Sequence, residues 1–304
     1  VRRWCPPLLG LEPHSSPVRY LARRRERGAF AAGRALLRGS GIGSYVIGPD
    51  TPTAPPARRI VDRNADPGLT TPAELADAAG GRGYEAVCLR QLAGQVADIS
   101  DTARAFLANT AEALHSAAGK TVAFVAADGF GSGGEAPELP EVLRAVGRLL
   151  RRPHAPPEPT VLHHLLWSAL ATGRPVQLHC GDPAPLAGFL HATRGLGAPV
   201  VLLPRPPHHR AAARLAAPFP HVYADAGPRP AETLTEAPFG KLLFSSGARA
   251  LPELYVAAAR MFVAELERLL TRWSDEGHCH RRDAVRIAAP VTGGTARRLY
   301  ALPG

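Results

Sequence analysis

Seven short runs of apolar, β-prone residues punctuate the chain, at 43–47, 85–89, 121–125, 176–179, 199–203, 222–225 and 241–245, with helix-forming segments between most of them. Runs this short and this continuously apolar fit strands covered on both faces, the pattern of a parallel sheet flanked by its crossover helices. Repeated strand-then-helix order restricts the chain to an open α/β sheet or a (β/α)8 TIM-type barrel. A closed barrel takes one strand more. The reading is therefore a barrel whose first strand is missing from this chain and lies upstream of Val1.

The segments between the runs carry their own signals. Residues 14–40 read as one helix opened by Ser15, Ser16 and Pro17. Thr71-Pro72-Ala73-Glu74 is a capping signature that opens a helix ending near Gly80-Gly81. Further helices are expected over 101–118, 140–150, 161–171 and 251–273, with a last one from Asp283. The Pro- and Arg-rich stretch 51–66 reads as an exposed connection. Nothing here forces a split, so residues 1–304 are read as a single domain.

Composition and charge narrow the partners. No apolar run approaches the ~18 residues needed to cross a bilayer. The segment Val1-Arg2-Arg3-Trp4 has no cleavage pattern after it, so a cytoplasmic protein with no membrane partner is expected. The formal charge of +10 comes from arginine, since lysine occurs only at Lys120 and Lys241. The arginines are spread through Ala-rich helical stretches without a zinc-finger, helix-turn-helix or stacking-sheet signature, and no nucleic-acid partner is expected. Cys5, Cys88, Cys180 and Cys279 are too dispersed for a Cys-x-x-Cys site and read as reduced thiols.

Chemistry concentrates where strands end. Arg174-Pro175-Val176-Gln177-Leu178-His179-Cys180 is a buried-strand pattern that delivers an imidazole to the break at Gly181-Asp182-Pro183, which makes His179 the candidate metal ligand. In a barrel such ends converge on one mouth. Here they are Val125, His179, Pro204, Asp225 and Gly247, so two of the five could ligate. A catalytic zinc takes about three His or carboxylate ligands with one position left for water, and this set falls short. Arg205, His208 and His209 follow the fifth run, and Arg249 follows the seventh.

Other polar clusters read as structural. His163 and His164 lie within a helix, where adjacent residues face different ways and cannot chelate together. His278-Cys279-His280 reads as a loop between two helices. The loop Gly129-Phe130-Gly131-Ser132-Gly133-Gly134 lacks both the ending of a P-loop and the spacing of a dinucleotide fingerprint. No Gly-x-Ser-x-Gly elbow is present.

Several motifs occur together in a fixed order: 173–179, 219–225, 238–246, Leu251-Pro252-Glu253-Leu254-Tyr255 and Gly293-Gly294-Thr295-Ala296-Arg297-Arg298-Leu299-Tyr300. As a set they resemble the amidohydrolase-related (amidohydrolase-2) branch of the metal-dependent hydrolases, which includes the domain fused to glutamine-synthetase-like proteins. The resemblance covers most of the chain. It implies a (β/α)8 barrel and metal-assisted hydrolysis or decarboxylation. It also implies a His-x-His pair on the first strand, which this chain lacks, and a Lys or Glu where Val125 stands. His179 matches the family's histidine on strand five. The next histidine is replaced by Pro204, and the aspartate that would ligate metal and act as general base is replaced by Gly247. His209, Arg210 and Glu253 fit the pattern as supports of the mouth.

The expectation is a barrel with a degenerate metal site. It would be a non-catalytic or weakly active protein that uses no cofactor and binds a small anionic molecule such as a carboxylate through Arg205, His208, His209, Asp225 and Arg249. The alternative is an active hydrolase of C–N bonds, rebuilt around His179, Asp225 and His208 or His209 and using a divalent metal such as zinc.

Overall fold

The computed structural model describes residues 1–48, 71–127, 129–131, 133–152, 155–248 and 251–303. The connection expected over 51–66 and the side chain of Arg249 lie outside the described residues. The chain opens with helices α1 (Cys5–Leu8), α2 (Pro17–Arg27) and α3 (Ala29–Gly39), then strand β1 (Ser44–Ile47), helix α4 (Pro72–Ala79) and strand β2 (Arg82–Cys88). Helices α5 (Leu89–Asp98) and α6 (Ala103–Ala118) lead to β3 (Ala123–Ala126), and α7 (Leu139–Leu150) and α8 (Pro159–Leu170) lead to β4 (Val176–Cys180). Helix α9 (Ala187–Ala192) precedes β5 (Val200–Pro204), and α10 (His209–Ala216) precedes β6 (Val222–Asp225). After the short β7 (Leu242–Leu243) come α11 (Pro252–Asp275), α12 (Arg281–Ala289) and α13 (Thr295–Leu299). Each strand pairs in parallel with the next in sequence, as the strand-then-helix order requires.

Two compact units are distinguished. The first comprises residues 1–85, 227–230 and 245–280. In it α3 feeds two small cores: Leu36 packs with Cys5, Leu9, Ala32 and Val256, and Leu37 with Tyr45, Leu75, Ala78 and Ala79. The capping box at α4 forms as expected, the Thr71 hydroxyl accepting from the Glu74 amide and the Glu74 carboxylate from the Thr71 amide. Gly83 lets that helix start against β2, because a Cβ there would lie 2.0 Å from the Pro72 carbonyl oxygen. The expected single helix over 14–40 is two, since Gly28 adopts a positive φ of 77° that ends α2 and begins α3.

The second unit comprises residues 86–226, 231–244 and 281–304. All four residues of β3 are buried, which explains why its sequence is continuously apolar. Its core is built on Phe106, Phe124, Phe189, Leu165, Leu166 and Leu178. Helix α5 has no counterpart among the expected elements, although Leu89, Leu92, Ala93 and Val96 bury at helical spacing. It lacks a capping side chain, and its start follows β2 without a break. The seventh strand is shorter than 241–245, because Phe239–Lys241 forms a 3-10 turn. Lys241 Nζ is drawn instead to the end of α10, donating to the carbonyl oxygens of Ala216, at 2.9 Å, and Phe219.

Candidate functional site

Strand register places the candidate residues in layers within the second unit. His179 pairs with Leu203, Leu202 with Ala224, and Asp225 with Leu243, so His179, Leu203, Asp225 and Leu243 share one layer and one face. With one strand between them, His179 and Asp225 have Cα atoms about 10 Å apart. Gln177 lies one step below, level with Val125, Val201 and Tyr223.

The loop after β5 supplies the rest. The Arg205 amide donates to the Cys180 carbonyl at 2.8 Å, tying the ends of β4 and β5, while its side chain is exposed. The His208 amide then donates to the Arg205 carbonyl at 3.0 Å, and α10 begins at His209. That turn carries the His209 ring inward. His209 Nε2 stands 3.5 Å from Asp225 Oδ2, with both side chains largely buried. The structure thus joins two of the sequence candidates directly and puts His179 in their layer. Arg210 turns elsewhere: with Arg214 it pairs with Glu236, whose carboxyl these two guanidinium groups hold at about 2. Glu253 belongs to the first unit, where it accepts from Tyr20 and Arg24.

A residue singled out only within a motif also reaches this face. Tyr300, just past α13, is buried, and its hydroxyl accepts from Gln177 Nε2 at 2.9 Å. Burial drives its phenol far above the ordinary range; the Gln177 bond opposes that and the Asp225 charge adds to it. Asp225 therefore has an imidazole against it and a buried phenol within reach of its charge. The signal in the sequence was an aromatic residue closing the last helical motif.

The other clusters settle into structural roles. His163 is buried, with Nδ1 2.9 Å from the Phe130 carbonyl oxygen and Nε2 2.9 Å from that of Glu135, and Trp167 Nε1 donates to Nε2 at 3.1 Å. It fastens the glycine loop to α8. His278 Nε2 lies 3.4 Å from Glu276. A cleft of about 670 Å³ in the first unit is lined by Arg3, Glu267, Arg268, Arg272, Asp275 and Glu276, where three cations balance three anions, and it contains none of the candidates.

Among the described residues no three His, Cys, Asp or Glu side chains are grouped to hold a metal ion. Pro204 at the end of β5 and Gly247 beyond β7 contribute no side-chain donor. Among the described residues the donors do not make up the metal shell that the resemblance implies.

No family model matches the chain, and no curated protein matches its sequence. Solved structures do share its fold. A protein from Lactobacillus casei assigned as a metal-dependent hydrolase is 21% identical with a TM-score of 0.75, over 94% of this chain and 80% of that one. A uronate isomerase from Thermotoga maritima is 13% identical with a TM-score of 0.65, over 95% of this chain and 74% of that one. A glucuronate isomerase from Caulobacter crescentus is 14% identical with a TM-score of 0.51, over 89% and 66%. The class is thus an α/β fold with parallel strands in sequence order, the fold of these hydrolase-like and isomerase structures. At these identities the likeness is one of fold.

Proposed function

We propose that the chain is an amidohydrolase-superfamily (β/α)8 barrel protein whose metal centre has degenerated and whose mouth binds a small carboxylate-bearing molecule, a hydroxy acid or sugar acid. The observation that carries this reading is the Asp225–His209 pair, set in the layer of His179, and the resemblance supports it by expecting donors at the sequence positions that Pro204 and Gly247 occupy. Arg205 offers a planar guanidinium suited to a carboxylate. Asp225, itself an anion, suits the hydroxyl groups of such a ligand as an acceptor. The names of the uronate isomerases lend support to a sugar acid. Arg249 is assigned to the same anion by its place in the sequence.

Metal analysis of the purified chain together with calorimetric titration of glucuronate, glucose and glucosamine tests the proposal. Substoichiometric metal and a preference for glucuronate are expected. Tightly held, stoichiometric zinc or manganese would overturn the degenerate centre, and a preference for glucose or glucosamine would overturn the carboxylate. The second reading, an active hydrolase of C–N bonds, draws on the same His209–Asp225 contact as an acid–base pair. It requires amide turnover that disappears in His179→Ala and survives in His280→Ala.

A further inference from the structure

Helix α2 turns Tyr20 and Arg24 inward, with Tyr20 packed against the small core of Cys5, Leu9, Ala32, Leu36 and Val256. The Tyr20 hydroxyl donates to Glu253 Oε1 at 2.9 Å, Arg24 Nε donates to the same oxygen at 2.8 Å, and no residue of the helix is buried. Helical spacing sends Val18, Ala22 and Arg25 to the opposite side and Leu21 to the flank beside them. There Val18 is 79% exposed and Leu21 48%. Beyond the Gly28 turn, Phe30 in α3 is 60% exposed, with the Arg34 guanidinium 5.5 Å from its ring centroid. Surface helices of globular proteins turn the apolar stripe inward. This one leaves Val18 and Leu21 facing outward as well.

Charge identifies what these side chains face. Residues 1–40 contain nine arginines and two glutamates, a net +7, whereas the rest of the chain contributes +3 from 27 basic and 24 acidic residues. Arg19, Arg25, Arg27 and Arg38 are all exposed. A second copy docked symmetrically on this patch would set +7 against +7. A nucleic acid would engage the arginines and leave Val18 and Leu21 in water. A protein partner would need a groove for three protruding side chains. An anionic bilayer meets both demands, since headgroup phosphates pair with guanidinium groups while short apolar side chains enter the boundary with the acyl chains.

We propose that α2 and the start of α3 form a peripheral docking surface for anionic phospholipid. The proposal departs from the expectation of no membrane partner and needs no spanning segment; among the described residues no helix is long and apolar enough to cross a membrane. It stands apart from the ligand reading at Asp225.

Co-sedimentation of the full chain with phosphatidylcholine vesicles, with and without phosphatidylglycerol, tests it. Binding is expected only with phosphatidylglycerol, weakening with added salt. It should fall by about tenfold both in Val18→Ser/Leu21→Ser/Phe30→Ser and in Arg19→Glu/Arg25→Glu. Circular dichroism should show both variants folded, since every changed side chain is exposed. Failure to bind phosphatidylglycerol vesicles would overturn the proposal. So would equal binding by the serine variant, which would mark a general polyanion surface best followed with RNA. A concentration-dependent dimer that the serine variant abolishes would assign the patch to a second copy instead.

Discussion

Gln177 Nε2 donates a 2.9 Å hydrogen bond to the Tyr300 hydroxyl, joining the fourth strand to a residue 123 positions later. Both side chains are buried, so neither can exchange the partner for water. Tyr300→Phe should therefore cost about 1–3 kcal/mol, the penalty of an unsatisfied buried donor. Adding Gln177→Leu to Tyr300→Phe should restore part of that loss. Urea denaturation of the two single variants and the double variant measures the coupling.

In the first unit Glu253 Oε1 accepts from both Tyr20 and Arg24. Glu253→Gln removes the charge and should destabilise the protein by about 1.5–3 kcal/mol. Tyr20→Phe should cost less, because Arg24 keeps its counterion. The nearby Cys5 thiol, pushed up to about 11 chiefly by burial, provides a second readout. Iodoacetamide should label the half-buried Cys279 well before Cys5, and Glu253→Gln should narrow that gap.

Burial lowers the pKa of His164, and burial followed by the Lys241 and Arg194 charges lowers that of His221. Their ordinary value is 6.5, so the unfolded chain takes up protons near that pH that the folded chain does not. Their stability contribution is therefore complete above pH 6.5 and is lost as pH falls through the folded values. The urea midpoint should drop between neutral and mildly acidic pH, and His164→Gln/His221→Gln should flatten the drop. The Glu236 carboxyl, held at about 2 against an ordinary 4.5, adds its own loss only at lower pH.

At the site, His209→Ala leaves Asp225 largely buried without its imidazole partner. Glucuronate affinity should fall by about tenfold or more in His209→Ala and in Arg205→Ala, each charged hydrogen bond being worth roughly 1.5–3 kcal/mol. His280→Ala should leave it unchanged. Isothermal titration distinguishes the three variants.

The strands were legible because covered parallel strands must be apolar throughout, as at Phe124 and Val176. The capping box at Thr71 and Glu74 was legible because its partners are three residues apart. Helix α5 escaped for want of a cap, and the break at Gly28 escaped because arginine and alanine continue a helical pattern on either side of it. At the site, His179 and Asp225 stood out as polar ends of apolar runs, and His209 was one of two adjacent histidines with equal claims.

The sequence by itself determined which residues are buried as strands and which polar groups stand at their ends, because burial periodicity and turn chemistry act within a few residues. Only the tertiary structure decided which of those groups meet. Strand register set His179 level with Asp225, the start of α10 chose His209 over His208 as the aspartate's partner, and Tyr300 came up beneath them from the last helix. Contacts between residues so far apart in the chain follow from packing of whole elements, and no local pattern encodes them.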